Sequence, residues 1–251
     1  WIRDAGTREE IAERRSTDPV THRQARRRLP TLRWERMKGS PMSTNAAAMI
    51  SIHDVFRTAF IDEPDSLLIA TPDIARARAI GEYYVVVLDF LLAHHQAEDE
   101  LVWPLLRERA TDSAQIVQRA EDQHSDMHDA LTAAITGAES LSAGTARNPA
   151  ALHAPVTALV EALGTHLDDE EATIVPLINE HLDDTEWFAV GAHASAHLGP
   201  QRALLVMGLV REHMTEPARA MQLELLPPLV KDAWHATGAN DYEALVTAAR
   251  G

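Results

Sequence analysis

The chain has 251 residues, of which 45% are hydrophobic and 24% charged, so it can bury a core of ordinary size. It has no cysteine, which excludes disulfides, thiolate zinc sites, thiol nucleophiles and iron–sulfur ligation. The formal net charge is −15, and residues 1–41 hold 11 basic residues against 6 acidic ones, so the rest is more acidic still. The strong negative charge of the chain after residue 41 argues against binding nucleic acid or an anionic membrane surface.

Residues 1–43 are rich in arginine and poor in apolar residues, which predicts a disordered basic tail or leader. Met42 precedes small polar residues and has the character of an initiator, so we expect an extension upstream of the natural start; a basic docking arm is the alternative. No signal-type segment opens the chain and no apolar run is long enough to span a membrane, so we expect a cytoplasmic protein. Arginine outnumbers lysine 21 to 2, which favours a bacterial origin.

From residue 44 onward, apolar residues recur at intervals of three and four, and glycine is scarce. This pattern predicts four helices with short connections, over about 44–61, 73–109, 113–141 and 149–182. We therefore expect an all-α fold with an up-down-up-down four-helix bundle over residues 44–183. A further long helix over about 185–213, with shorter ones after it, predicts a C-terminal helical extension over 184–251 that packs on the bundle.

Two of the predicted helices share a sequence skeleton at an offset of 72 residues. Each contains His-x3-Glu-x5-Pro-Leu, which begins at His94 in the second helix and at His166 in the fourth. The matched positions are the chemically distinctive ones, which favours an internal duplication.

All four predicted helices place ligand-type side chains within their apolar stripes, where a bundle would bury them. These candidate metal ligands are His53, His94, Glu98, His124, His128, His166 and Glu170. A buried carboxylate without a partner costs several kcal/mol, so two of them among imidazoles require a shared cation. A pair of metal ions satisfies this set, and nitrogen and oxygen ligands without sulfur suit iron, with manganese or zinc as alternatives.

The pattern of His53, His94-x3-Glu98, His124 and His166-x3-Glu170 resembles the hemerythrin, or HHE cation-binding, family over roughly residues 44–182. The resemblance implies a four-helix bundle around two iron ions that are bridged by oxo or hydroxo and carboxylate groups. By this resemblance the four histidines would be terminal ligands, and Glu98 and a carboxylate of the fourth helix would bridge.

Two ligand positions need further weighing within this resemblance. The fourth-helix carboxylate is Glu170 or Glu171, and helical phase and the match to Glu98 favour Glu170. His128 follows His124 by four residues, as in the third helix of oxygen-carrying members of the family, and would supply a further imidazole.

The function that the resemblance implies is the binding of dioxygen or a related small oxidant, for carriage, storage or sensing. The alternatives are an oxidoreductase acting on peroxide or nitric oxide, and an iron-handling module. Whether the protein is an enzyme stays open, but a metal- and oxygen-binding protein is favoured, because no hydrolase or nucleotide-binding motif is present.

Several neighbouring side chains are expected to have no part in the centre. Asp99, Glu100 and Glu171 are expected to form part of a solvated acidic rim, and His95 to lie at a surface or interface. His193 and His197 are expected to be ordinary, partly exposed histidines, because no carboxylate lies at helical spacing from them; a second metal site is the alternative.

Overall fold

The computed structural model describes residues 44–69 and 73–251, and all regular secondary structure within these ranges is helical. The described part of the protein is therefore all-α, as the apolar periodicity predicts. The predicted basic segment 1–43 lies outside the described residues.

The first predicted helix is α1 (Thr44–Arg57), which continues into a π-helical turn (Thr58–Asp62). A short helix, α2 (Pro64–Leu68), follows where the sequence predicts only a turn. Proline suits the first position of this helix because that position needs no N–H partner within the helix.

The second predicted helix consists of α3 (Ile74–Ala97), a π-helical turn (Glu98–Val102) and α4 (Trp103–Arg109). Asp73 caps α3, since its carboxylate accepts a hydrogen bond from the Arg76 backbone N–H at 2.8 Å. The third predicted helix is α5 (Ala114–Ser142), which follows a single 3-10 turn.

The fourth predicted helix repeats the construction of the second, with α6 (Ala150–Asp169), a π-helical turn (Glu170–Ile174) and α7 (Val175–His181). In both cases a proline, Pro104 or Pro176, follows the π turn at the second position of the next helix.

These two π turns accommodate the prolines that follow them. Proline lacks an N–H, and in a regular α-helix its ring clashes with the carbonyl four residues earlier. In each π turn the residue before the proline donates its N–H to the glutamate carbonyl five residues back, which widens the backbone ahead of the ring. The repeated skeleton His-x3-Glu-x5-Pro-Leu therefore encodes a π turn that begins at a buried glutamate.

The fifth long helix is α8 (Asp184–Glu212), which starts with a capping box between Asp183 and Glu186. It is broken at Gly199, whose φ of 73° ends the helix before Pro200 and is a conformation that glycine tolerates. Three shorter helices and a π turn complete the chain: α9 (Glu216–Leu225), α10 (Pro228–Ala233), the turn Trp234–Gly238 and α11 (Ala239–Arg250).

Helix α3 is the most deeply buried element among the described residues, because it packs against α5 and also against α8 and α11. Its segment Tyr83–Leu88 is buried at every position, as expected for a helix covered by neighbours on several sides. At Gly81 the backbones of α3 and α5 approach so closely that an added Cβ would lie 2.3 Å from the Ser142 nitrogen.

Arg250 connects α11 to the residue that precedes α2, to α8 and to α3. Its Nε lies 2.9 Å from Glu63, and its NH1 lies 2.8 Å from Glu212 of α8. Its NH2 also donates to the Tyr83 hydroxyl of α3 at 3.0 Å.

Within the described ranges, none of the helices combines the length and the apolar character that crossing a bilayer requires.

Candidate metal centre

Six of the seven predicted ligand residues are buried in the interior between α1, α3, α5 and α6. The group comprises His53 (0% exposed), His94 (5%), Glu98 (0%), His124 (8%), His166 (0%) and Glu170 (1%). His95, at 5% exposed, lies among them. Seven ligand-type side chains thus converge in one region of the core.

The first cluster consists of His53, His94 and Glu170, each with a ligand atom within 4.8 Å of the other two. The Nε2 atom of His53 lies 3.2 Å from an oxygen of Glu170. The rings of His53 and His94 meet edge to face with their centroids 5.5 Å apart. Two imidazoles and a carboxylate at these distances can share one cation.

The second cluster consists of three histidines, His95, His124 and His166, again with ligand atoms within 4.8 Å of one another. The His95 and His124 rings stack with centroids 4.0 Å apart, and the His124 and His166 centroids are 4.7 Å apart. Such close packing of imidazoles is unfavourable when they are protonated, whereas neutral imidazoles are good metal ligands.

Glu98 lies between the two clusters, and Glu170 of the first cluster also reaches the second. One oxygen of Glu98 is 3.3 Å from His94 Nε2, and the other is 3.7 Å from His124 Nε2. One oxygen of Glu170 is 3.2 Å from His53 Nε2 and 3.5 Å from His166 Nε2. Each carboxylate therefore reaches donors of both clusters, which is the placement that a bridging ligand requires.

The atoms that face one another in this region make no hydrogen bonds. They are the Nε2 atoms of His53, His94, His95, His124 and His166 and both carboxylate oxygens of Glu98 and Glu170, all shielded from solvent. Leaving buried polar atoms unpaired costs free energy at each one, and a folded protein rarely gathers so many. The donor set therefore fits cations bound between the two glutamates.

The opposite ring nitrogens of three histidines are held by hydrogen bonds. His53 Nδ1 lies 2.9 Å from Glu171, His124 Nδ1 lies 2.8 Å from Asp99, and His166 Nδ1 lies 3.3 Å from Gln123. Donation from Nδ1–H to these oxygens fixes the tautomer and leaves each Nε2 lone pair free for a metal.

Glu171 is therefore not part of a solvated rim, since its side chain is only 8% exposed, and that expectation is wrong. Asp99 is exposed, as expected, but it also contacts a ligand histidine. Each follows a buried glutamate directly, and each accepts from a histidine on a neighbouring helix. Glu171 also accepts from Arg57 at 2.7 Å, and Asp99 from the Trp103 indole N–H at 2.8 Å. The signal in the sequence is the acidic residue that follows the glutamate in both copies of the skeleton.

The geometry also separates Glu170 from Glu171. Glu170 faces the histidine Nε2 atoms of both clusters, whereas Glu171 bonds the outer nitrogen of His53. Glu170, the glutamate that helical phase favours, is therefore the one that faces the clustered histidines.

The expectations for His128 and His95 are corrected by burial. His128 is exposed and lies in neither cluster, because the buried stripe of α5 passes through His124, Met127 and Leu131 and leaves His128 beside it. His95 is buried rather than at the surface, because its ring stacks on His124 of α5 and meets His166 of α6 edge to face.

Burial controls the protonation of the centre. It lowers the pKa of His94 and of His95 well below the ordinary value and lowers the pKa of His166 to about 4, so these imidazoles are neutral near pH 7. Burial, together with the nearby charge of Glu170, raises the pKa of Glu98 well above its usual range. Burial also pushes the pKa of Glu170 upward, but the nearby His53, His166 and His94 together outweigh it and the pKa falls below normal.

The comparisons with known proteins agree with this geometry. Residues 22–178 match the family model described as Hemerythrin HHE cation binding domain. Because the match spans more than half of the chain, the protein belongs to this family. A comparison with curated proteins found no match, and one with solved structures also found none. The matched region contains every residue of the two clusters.

Proposed function

We propose that the protein binds two iron ions in this centre and takes up dioxygen or a related small oxidant there. The observation that carries the proposal is the pair of three-residue clusters with two carboxylates that each reach both clusters. The absence of hydrogen bonds at the facing nitrogen and oxygen atoms supports the same conclusion. Nitrogen and oxygen donors without sulfur suit iron.

The ligands divide unequally between the two ions. His53 and His94 would hold the first ion, and His95, His124 and His166 the second. Glu98 and Glu170 would bridge the two. When bound, the iron pair would supply the electrons that uptake of an oxidant requires. His128 has no role in this assignment, because its side chain is exposed.

Apolar side chains surround the ion with fewer imidazoles. Phe56 is fully buried, and its ring centroid lies 5.4 Å from that of His94. Phe90 packs on Phe56 at 5.0 Å, and Leu91 is also fully buried. This wall favours a small uncharged ligand and excludes bulk water, which slows the loss of a charged product.

The remaining parts of the proposal concern architecture and location. The short connections around residues 110–113 and 143–149 support an up-down-up-down bundle over residues 44–183. The contacts of α8 and α11 with α3 support an extension, 184–251, that packs on this bundle. We also propose a cytoplasmic protein that needs neither a membrane nor a nucleic acid as partner.

Iron analysis and optical spectra of the purified protein test the function. We expect two irons per chain and a visible absorption band that appears with oxygen and disappears when oxygen is removed. Replacement of His94 by alanine should reduce the iron content, whereas His153→Ala, at a partly exposed histidine of α6 that belongs to neither cluster, should not. Sustained gas evolution from added peroxide would instead indicate that the protein is an oxidoreductase that acts on peroxide. Iron content below one per chain, unchanged by His94→Ala, would contradict the site.

A further inference from the structure

A second group of metal-ligating side chains lies where α8 contacts the π turn that follows α3. His193 and His197 are one helical turn apart on α8, and their ring centroids are separated by 4.7 Å. Glu100 of the π turn brings a carboxylate oxygen to 2.8 Å from His193 Nε2. A ligand atom from each of the three residues lies within 4.8 Å of the other two.

The carboxylate in this group comes from a different helical segment. The two histidines have no acidic partner at helical spacing on α8, as expected, but folding brings Glu100 to them. Two histidines at positions i and i+4 of a helix are the spacing with which helices chelate zinc. A carboxylate from elsewhere completes a common three-residue ligand set for this ion.

His193 Nε2 and a Glu100 oxygen lie 2.8 Å apart, which is an ion-pair distance, but they do not have the geometry of a hydrogen bond. This Nε2 atom is shielded from solvent. Two ligands that are each about 2.1 Å from a tetrahedral ion lie about 3.4 Å apart. The separations in this group, from 2.8 Å to at most 4.8 Å, bracket that value.

We propose that Glu100, His193 and His197 bind a zinc-type divalent cation at the surface, separate from the buried centre. The three side chains leave a fourth position for water, and the site's partial exposure gives solvent access. The bound cation would join α8, just before its break at Gly199, to the turn that carries Glu98 and Asp99. The bound cation would thus hold the C-terminal helices against the bundle.

The test is zinc binding to the full-length, iron-loaded protein and to the double variant His193→Ala/His197→Ala. Equilibrium dialysis against zinc, followed by analysis of both metals, counts zinc and iron per chain. The matched control is His153→Ala/His235→Ala, since it also replaces one partly exposed and one exposed histidine. Alanine is the best helix former, so circular dichroism should show all variants folded.

We expect one zinc per chain that wild type and control retain and that the double variant binds at least about tenfold more weakly. Zinc should also raise the melting temperature of wild type but not of the double variant. Glu100→Gln, which changes an exposed side chain, should weaken zinc binding without lowering the iron content. Equal zinc binding by wild type and both variants would overturn the proposal. Because zinc and iron are counted separately, failure of the iron centre is a distinct result.

Discussion

Replacement of Asp99 by asparagine should weaken metal binding at the buried centre without unfolding the protein. The Asp99 carboxylate accepts from His124 Nδ1 and from the Trp103 indole N–H, both at 2.8 Å. Asparagine keeps an oxygen at this position but removes the negative charge that makes His124 a stronger donor to metal. Loss of such a partner reduces metal affinity about 10- to 100-fold, which corresponds to about 1.4–2.8 kcal/mol.

A comparison with alanine separates the metal effect from a structural one. Asp99→Ala also leaves the indole N–H of the fully buried Trp103 without its acceptor, which costs about 1–3 kcal/mol of stability. The asparagine variant should therefore lose affinity but little stability, and the alanine variant should lose both.

The assay is a competition of iron(II) binding against a chelator of known affinity, together with urea unfolding of the metal-free protein. Asp129→Asn, at an exposed aspartate of α5, is the control and should match wild type in both measurements. If Asp99→Asn bound iron as tightly as this control, the role given to the His124–Asp99 contact would be refuted.

Three further predictions concern the ligand set, pH and packing. His95→Ala should reduce the iron content from two toward one per chain while His128→Ala leaves it unchanged; the opposite ranking in metal analysis would restore His128 as a ligand. The metal-free protein should lose stability as pH falls from 6.5 toward 4, because the pKa of His166 is lowered from 6.5 to about 4 and the unfolded chain takes up the proton first. Thermal melts across this range check it, and a flat profile would refute it. Gly81→Ala should destabilise by about 1–3 kcal/mol, since the added Cβ meets the backbone of Ser142, whereas Gly191→Ala meets nothing and should stabilise by up to about 1 kcal/mol. Equal unfolding midpoints in urea would contradict this difference.

The sequence predicts those parts of the protein that depend on a single helix. The apolar period locates the helical stretches to within a few residues and places His53, His94, Glu98, His124, His166 and Glu170 on the buried faces. A ligand-type residue in the middle of an apolar stripe is a local signal, because a stripe is buried whichever helix packs against it.

The features that the sequence does not predict depend on a second element. His95 lies beside the stripe of α3 and is buried because His124 of α5 and His166 of α6 pack against its ring. Asp99 and Glu171 acquire their roles from histidines on other helices, and Glu100 meets His193 across two segments. His128 is not part of either cluster, because the buried face of α5 continues from His124 to Leu131 and leaves His128 exposed.

The π turns are an intermediate case. The prolines that follow these two turns are visible in the sequence, but periodicity alone treats each stretch as one uninterrupted helix. The extra residue in each turn changes the direction of side chains beyond the glutamates. That change is invisible until the backbone is traced.

Anomalous diffraction at the iron edge from crystals of the iron-loaded protein tests the central claim most directly. The account predicts two strong peaks per chain, both between Glu98 and Glu170. One should lie beside His53 and His94, and the other beside His95, His124 and His166. A single peak, or peaks away from these side chains, would contradict a two-iron centre built from these residues.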